Sequence, residues 1–279
     1  MKVKRGILVI GLLALPASGN AAPTSAELSA AAVAEARGAM MYEYDQAAWH
    51  TTDRFNEDIV KRGLTREQIK AQGAQGYIVE PGDAGALTTT FFGVRDNRRF
   101  AIARYARSAS GQISGGFVEP DSDSKLSPLA DRMVDARSKA ISEMATPNHG
   151  LCSPTQANSL VLPPDTEGVV SVYILTSTEV AGIYPAGGHY RFDYDADGKK
   201  ISERRFMNTC FPLDTREKDG KAPEMVFLTH LLDPQPTEIH AFVSRNIPVP
   251  MAIGTIANKR IWGVSRGHIE YIEDIEEKN

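Results

Sequence analysis

The sequence is short of cysteine: two in 279 residues, with six histidines beside them. Two cysteines are too few for a disulfide-scaffold protein but suffice for one bridge. A basic excess is missing as well, since 31 Lys and Arg face 35 Asp and Glu for a formal net charge of −4. Such a balance carries no electrostatic footprint for nucleic acid. Beyond the first residues there is no long apolar run, which excludes a membrane bundle. With 42% hydrophobic and 24% charged residues, the composition is that of a folded protein, neither disordered nor collagen-like.

What is present begins at the N-terminus. Lys2, Lys4 and Arg5 precede the uncharged apolar stretch from Gly6 to Leu15. Pro16 to Ala22 is small and polar, and Gly19-Asn20-Ala21 fits the small-x-small cleavage rule. The pattern predicts a signal peptide over 1–22, cut after Ala21 or Ala22. The apolar stretch is too short to span a hydrocarbon core of about 30 Å. A periplasmic or secreted protein is expected, with no stable membrane insertion after cleavage. No cysteine lies near the cut, which argues against a lipoprotein. Cleavage removes three basic residues and no acid, leaving a net charge of −7. That charge repels nucleic acid and anionic lipid. Export makes a Cys152–Cys210 disulfide the expected state. A nucleophilic thiol, or a zinc site using His149 and Cys152, are the other uses of these residues.

Periodicity divides the mature chain into two modules. Residues 23–119 read as N-terminal helices followed by a small antiparallel sheet. Ser25 to Gln46 is helical with Ser25 as its cap, Asp45 to Arg54 leaves the helix, and Thr65 starts a short second helix that Gly73 ends. The spacing then changes to two. Strands are predicted at Gly76–Glu80, Leu87–Val94, Phe100–Tyr105 and Ile113–Val118, with Asp96-Asn97-Arg98 as a hairpin turn. Residues 120–126 form a polar linker. Residues 127–279 read as a larger mixed β-rich module with two helices. The first runs from Ser127-Pro128 to about Met144, and the second covers Pro236–Asn246. Strands or hairpins are predicted at Ser159–Leu162, Val169–Thr176, His189–Tyr194, Lys200–Phe206, Met225–His230, Val249–Gly254, Arg260–Val264 and His268–Ile272. The fold class is α+β.

Several motifs touch known chemistry. Asp193-Tyr194-Asp195-Ala196-Asp197-Gly198 opens like an EF-hand calcium loop. Arg204 then stands where the bidentate carboxylate belongs, and the alternating flanks predict a β-hairpin turning at Asp197-Gly198. Gly263-Val264-Ser265-Arg266-Gly267 fits the nucleophile-elbow pattern. It lacks the following helix and a downstream acid and histidine, so it too reads as a hairpin. Gly187-Gly188-His189 lets the backbone approach either a ligand or another strand. His230, Asp233 and His240 lie where a strand end and the next helix converge on one point. Two imidazoles and a carboxylate suit zinc. The plainer alternative makes His230 a strand residue, Asp233 a turn cap and His240 a packing residue.

Two resemblances follow. Val169–Thr176, Gly187-Gly188-His189-Tyr190-Arg191, the Cys210 region and the run from Thr229 to His240 resemble a family of uncharacterised exported bacterial proteins, which brings no activity with it. More narrowly, residues 125 to 273 are similar to the JAB (MPN-type) metallopeptidase domain. His230 matches the first histidine of that family's His-x-His-Pro motif, but Leu232 replaces the second. Pro236-Thr237 stands for Pro-Ser, and His240 for the aspartate ligand. Glu167 and Glu179 are the candidates for the general base. The resemblance implies a module degenerate at its metal site. Two functions are therefore carried: a non-catalytic binding or envelope-associated protein of unknown partner, and a zinc-dependent hydrolase of JAB type.

Overall fold

The computed structural model describes residues 22–119, 124–153 and 157–275. The predicted signal peptide, apart from Ala22, and residues 120–123 of the linker lie outside the described residues.

Helix α1 (Ser25–Lys61) opens at Thr24, one residue before the expected cap. The Thr24 hydroxyl accepts from the Glu27 amide, and the Thr24 amide donates to the Glu27 carboxylate at 2.6 Å. This reciprocal box satisfies two otherwise orphaned donors. The Asn258 amide and the Arg260 guanidinium donate to the same carboxylate. Burial pushes Glu27 upward, yet these hydrogen bonds win and hold it at about 2. The start of α1 is thereby tied to the C-terminal part of the chain.

The helix also runs well past Gln46. Threonine, tryptophan and histidine weaken the local helical signal over 49–54, but tertiary packing overrides it. The Thr51 hydroxyl donates to the Ala47 carbonyl at 2.6 Å and lies 2.8 Å from the Thr89 hydroxyl. Phe55 and Ile59 then carry the buried stripe into a cluster with Phe91, Ile102 and Tyr105. The Phe55 and Phe91 rings stack with centroids 4.2 Å apart.

The short α2 (Arg66–Ala71) is boxed by Thr65 and Gln68. Strands β1 (Ala74–Pro81), β2 (Leu87–Arg95), β3 (Arg98–Arg107) and β4 (Ile113–Phe117) form an antiparallel meander in that order. The β2–β3 turn places Asp96 and Asn97 at φ 50° and 59°, the backbone of the tight hairpin its sequence predicts.

Helix α3 (Pro128–Met144) is capped by the Ser127 hydroxyl. An antiparallel sheet follows from β5 (Ala157–Leu162), β6 (Val170–Thr176), β8 (Tyr190–Tyr194) and β9 (Lys200–Arg205), in that order. Between and after its strands, β7 (Ile183–Pro185) and β10 (Pro212–Asp214) form a small antiparallel pair. These three-residue strands are too short to show alternation, and the sequence pattern did not reveal them. The last sheet has the order β11 (Val226–His230), β12 (Met251–Thr255), β13 (Arg260–Ser265) and β14 (His268–Asp274). β11 and β12 are parallel, with α4 (Glu238–Ser244) on the crossover that such a pair requires. The architecture is α+β with a β-rich C-terminal part, as expected.

The buried apolar clusters reach across residues 120–126. One joins Met41 and Tyr44 of α1 to Tyr173, Leu175, α4 and the last sheet. Another joins Ile78 and Phe92 of the first sheet to α3 and the middle sheet. Phe92, Tyr190, Phe192 and Tyr194 are all fully buried. These aromatic residues belong to that core cluster. Helix α1 crosses α4 closely enough that a Cβ at Gly38 would stand 2.6 Å from the Ala241 Cβ and 2.9 Å from the Glu238 carbonyl oxygen.

Cys152 and Cys210 form the expected disulfide. The double glycine is explained by it. A Cβ at Gly188 would fall 2.6 Å from the Cys152 amide nitrogen and 2.8 Å from its Sγ, and one at Gly187 would strike the Thr209 carbonyl. What approaches this backbone is the disulfide-linked segments.

Candidate functional site

Strand β11 ends in His230, which is 1% exposed. A Pro-rich loop returns the chain to the start of α4, and this geometry brings all three sequence candidates together. The His230 Nε2 lies 2.8 Å from Asp233 Oδ2. The His230 and His240 rings meet edge to face with centroids 4.8 Å apart. His240 occupies the third position of α4, where its Nδ1 accepts the Thr237 amide at 2.9 Å. It fills the part that Glu or Gln plays in a capping box. Its proton therefore sits on Nε2. Burial, reinforced by the neighbouring His230, holds His240 well below its ordinary value, so the ring is neutral.

A fourth residue completes the cluster. Arg204 reaches from β9 to donate to Asp233 Oδ2 at 2.7 Å. The arginine that breaks the EF-hand pattern is thus the partner of Asp233. Burial raises the Asp233 carboxyl, but the His230 hydrogen bond and the Arg204 charge outweigh it and hold the group below its ordinary value. His230 Nδ1 is buried without a hydrogen-bond partner among the described residues.

As it stands this donor set does not fit zinc. One Asp233 oxygen already accepts two donors, and a guanidinium occupies the ground where a cation would sit. Among the described residues no group of three or more His, Cys, Asp or Glu side chains is placed to hold a metal ion. The Glu179 carboxylate accepts from the Ser153 hydroxyl near the disulfide. Glu167 lies in the β5–β6 connection, where its backbone amide donates to Asp165.

The remaining motifs resolve into structure. Asp195 of the calcium-like run accepts the amides of Asp197 and Lys199, closing the β8–β9 turn. Asp193 points into the protein, where Ser171, Arg191 and Ser202 donate to it. The elbow-like Ser265 lies on the β13–β14 hairpin, and the Gly267 amide there donates to the Ser244 hydroxyl at 2.8 Å. His189 accepts the Thr176 amide on Nδ1 and donates to the Pro185 carbonyl from Nε2. Burial lowers it to about 4, so it is a neutral strut between β6 and β7.

Arg204 also opens onto a feature that single motifs could not show. A cleft of about 390 Å³ lies between α1, the start of α4 and the middle sheet, lined by Arg37, Arg191, Arg204, Thr237 and Glu238 among others. Arg191 bonds Glu238 at 2.6 Å and Asp193 at 3.0 Å. The Tyr173 hydroxyl donates to Glu238 at 3.1 Å. Arg37 donates to the Ser171 hydroxyl and lies 6.0 Å from the Tyr173 ring centroid. Among the described residues Arg37 has no carboxylate partner. The three arginines come from α1, β8 and β9, too far apart in sequence for any spacing rule to join them. The one local signal was β8 itself, where Arg191 and Asp193 alternate with buried aromatics.

No family model matches this chain, and neither a curated protein nor a solved structure matches it.

Proposed function

We propose that this chain is an exported protein, periplasmic or secreted, that acts by binding and not by catalysis, and that its ligand is a multiply charged anion held in the arginine cleft. Export is supported by the leader-like N-terminus and by the Cys152–Cys210 bridge, which persists in oxidising compartments. The binding reading is carried by one observation: three guanidiniums from three elements line a single cleft, and one of them, Arg37, has no acid of its own. Guanidinium forks match the oxygens of carboxylates and phosphates, and several on one concave surface favour a ligand with more than one charged oxygen.

The test is calorimetric titration of the disulfide-intact protein with citrate and inorganic phosphate at low ionic strength. Arg37→Met is the clean variant, because it strands no buried carboxylate. One of the two anions should bind saturably, and the variant should weaken that binding at least about tenfold. No binding of either anion, or an indifferent Arg37→Met, refutes the reading.

The JAB-type zinc hydrolase is the second reading. Its support is the approach of the His230 and His240 rings together with the unpartnered His230 Nδ1. It requires Arg204 to leave Asp233. Elemental analysis decides it: near-stoichiometric zinc in protein purified without chelator supports it, and a trace amount ends it.

A further inference from the structure

A separate cleft of about 410 Å³ opens beside α3 and the start of β5, sharing no lining residue with the arginine cleft. Its size is that of a small-molecule site. Most of its wall is apolar: Ile141, Met144, Leu151 and Ile174. Arg137 of α3 also lines it. The Arg137 Nε donates to the Ser159 hydroxyl at 2.8 Å. Its guanidinium lies 5.6 Å from the Phe92 ring centroid. A Cβ at Gly76 would stand 2.7 Å from Nη2, so the absence of a side chain there makes room for the group. Burial pulls Arg137 below its ordinary value.

No carboxylate pairs with Arg137 among the described residues. Three other arginines that are buried or partly buried do have acids. Arg191 has Asp193 and Glu238, Arg204 has Asp233, and Arg260 has Glu27 and Asp274. A cation removed from water without a counter-ion is costly unless something supplies the missing charge. Arg137 is partly buried, and the fold supplies only the Ser159 hydroxyl as its hydrogen-bond partner. The other ionisable wall residue, His149, is already bonded to Glu203 and Thr146. That leaves Arg137 as the free charge of the cleft.

We infer that this cleft binds a small amphipathic monocarboxylate, its carboxylate on the Arg137 guanidinium and the Ser159 side, its aliphatic tail along Ile141, Met144, Leu151 and Ile174. The planar fork suits a carboxylate held through two oxygens. A single unpaired cation calls for one negative charge, and an apolar wall calls for a tail rather than a second charged group.

The test is calorimetric titration of the disulfide-intact protein with octanoate, 1-octanol and acetate. Octanoate should saturate one site, and octanol and acetate should each bind at least about tenfold more weakly. Arg137→Met keeps the aliphatic stem and removes the charge. It should weaken octanoate at least about tenfold and leave octanol unchanged. Ile141 is 43% exposed at the cleft, so Ile141→Glu adds a repelling carboxylate without opening the core, and it too should weaken octanoate. Should Arg137→Met fail to fold, Ile141→Glu decides. Arg37→Met should leave octanoate binding intact, which separates this site from the arginine cleft. No octanoate binding at millimolar concentration, equal binding of octanol, or octanoate affinity unmoved in the folded variants overturns the inference.

Discussion

Asp45 offers the sharpest test of the electrostatics. It sits on α1 beside a cleft of about 390 Å³ that Trp49, Asn158, Ser177, Tyr184 and Asn246 also line. Among the described residues it has no hydrogen bond or ion pair. Burial alone raises its carboxyl from an ordinary 3.8 to about 6. Between those values the native protein holds a proton that the unfolded chain has released. Stability contributed by this residue therefore falls as pH rises from about 4 to 6, then levels off. Full conversion of that difference gives about 3 kcal/mol of destabilisation at neutral pH. Water reaches part of the side chain, so we expect about 1–3 kcal/mol. Asp45→Asn removes the penalty. Urea unfolding of both proteins, disulfide intact, should show the smallest difference at about pH 3, below the ordinary carboxyl value. By pH 8 the variant should be the more stable by that amount. Other titrating groups cancel in the comparison, and Tyr77, which feels the Asp45 charge, is itself pushed up to about 12 and stays protonated throughout. A difference that does not change with pH, or a variant less stable at pH 8, refutes the reasoning.

Replacing both Cys152 and Cys210 by alanine frees a loop closed across a sequence separation of 58. Loss of that constraint should cost about 4 kcal/mol in the chain-entropy model. For a chain of this size the thermal midpoint should drop by about 8–16 °C, and a drop under about 3 °C rejects the estimate. Gly188→Ala drives a Cβ into the Cys152 backbone at φ 74°, and should destabilise by at least about 3 kcal/mol. Gly220→Ala has a similar φ of 73° in open space, and should cost only about 1–2 kcal/mol. Equal denaturant midpoints for the two variants would show that crowding at Gly188 does not matter.

The elements that were legible in sequence are those whose signals are local. Ser127-Pro128 marks the start of α3, Thr65 and Gln68 box α2, and Asp96-Asn97 sets the first hairpin. The Asp197-Gly198 turn outweighed the calcium pattern because the flanks alternate. Where local signals were weak, contacts from far along the chain decided. Thr51, Phe55 and Ile59 extend α1 because Thr89 and Phe91 of the first sheet receive them. The convergence of His230, Asp233 and His240 was readable from the strand, loop and helix order alone. The role of Arg204 was not, since β9 reaches that point only through the sheet. Arg37 and Arg191 stayed hidden for the same reason. A cleft assembled from α1, β8 and β9 has no sequence spacing to recognise, and charges without an opposite partner, such as Arg37, Arg137 and Asp45, become visible only in the folded chain.

The buried polar residues at the joint of α1, the middle sheet and α4 are more than the fold needs for cohesion. Well-packed apolar groups hold such a joint as firmly, and desolvating three arginines with their acids gains little net stability. The acids are satisfied with care all the same: Asp193 by two serines and Arg191, Glu238 by Tyr173 and Arg191, Asp233 by His230 and Arg204. Each acid fixes the position of a guanidinium or a histidine. Arg191 and Arg204 are thereby held against the cleft wall, while Arg37, bonded only to a hydroxyl, keeps its charge unneutralised. On the anion-binding reading proposed above, the acids orient two cations and leave the charge of the third for the ligand to balance.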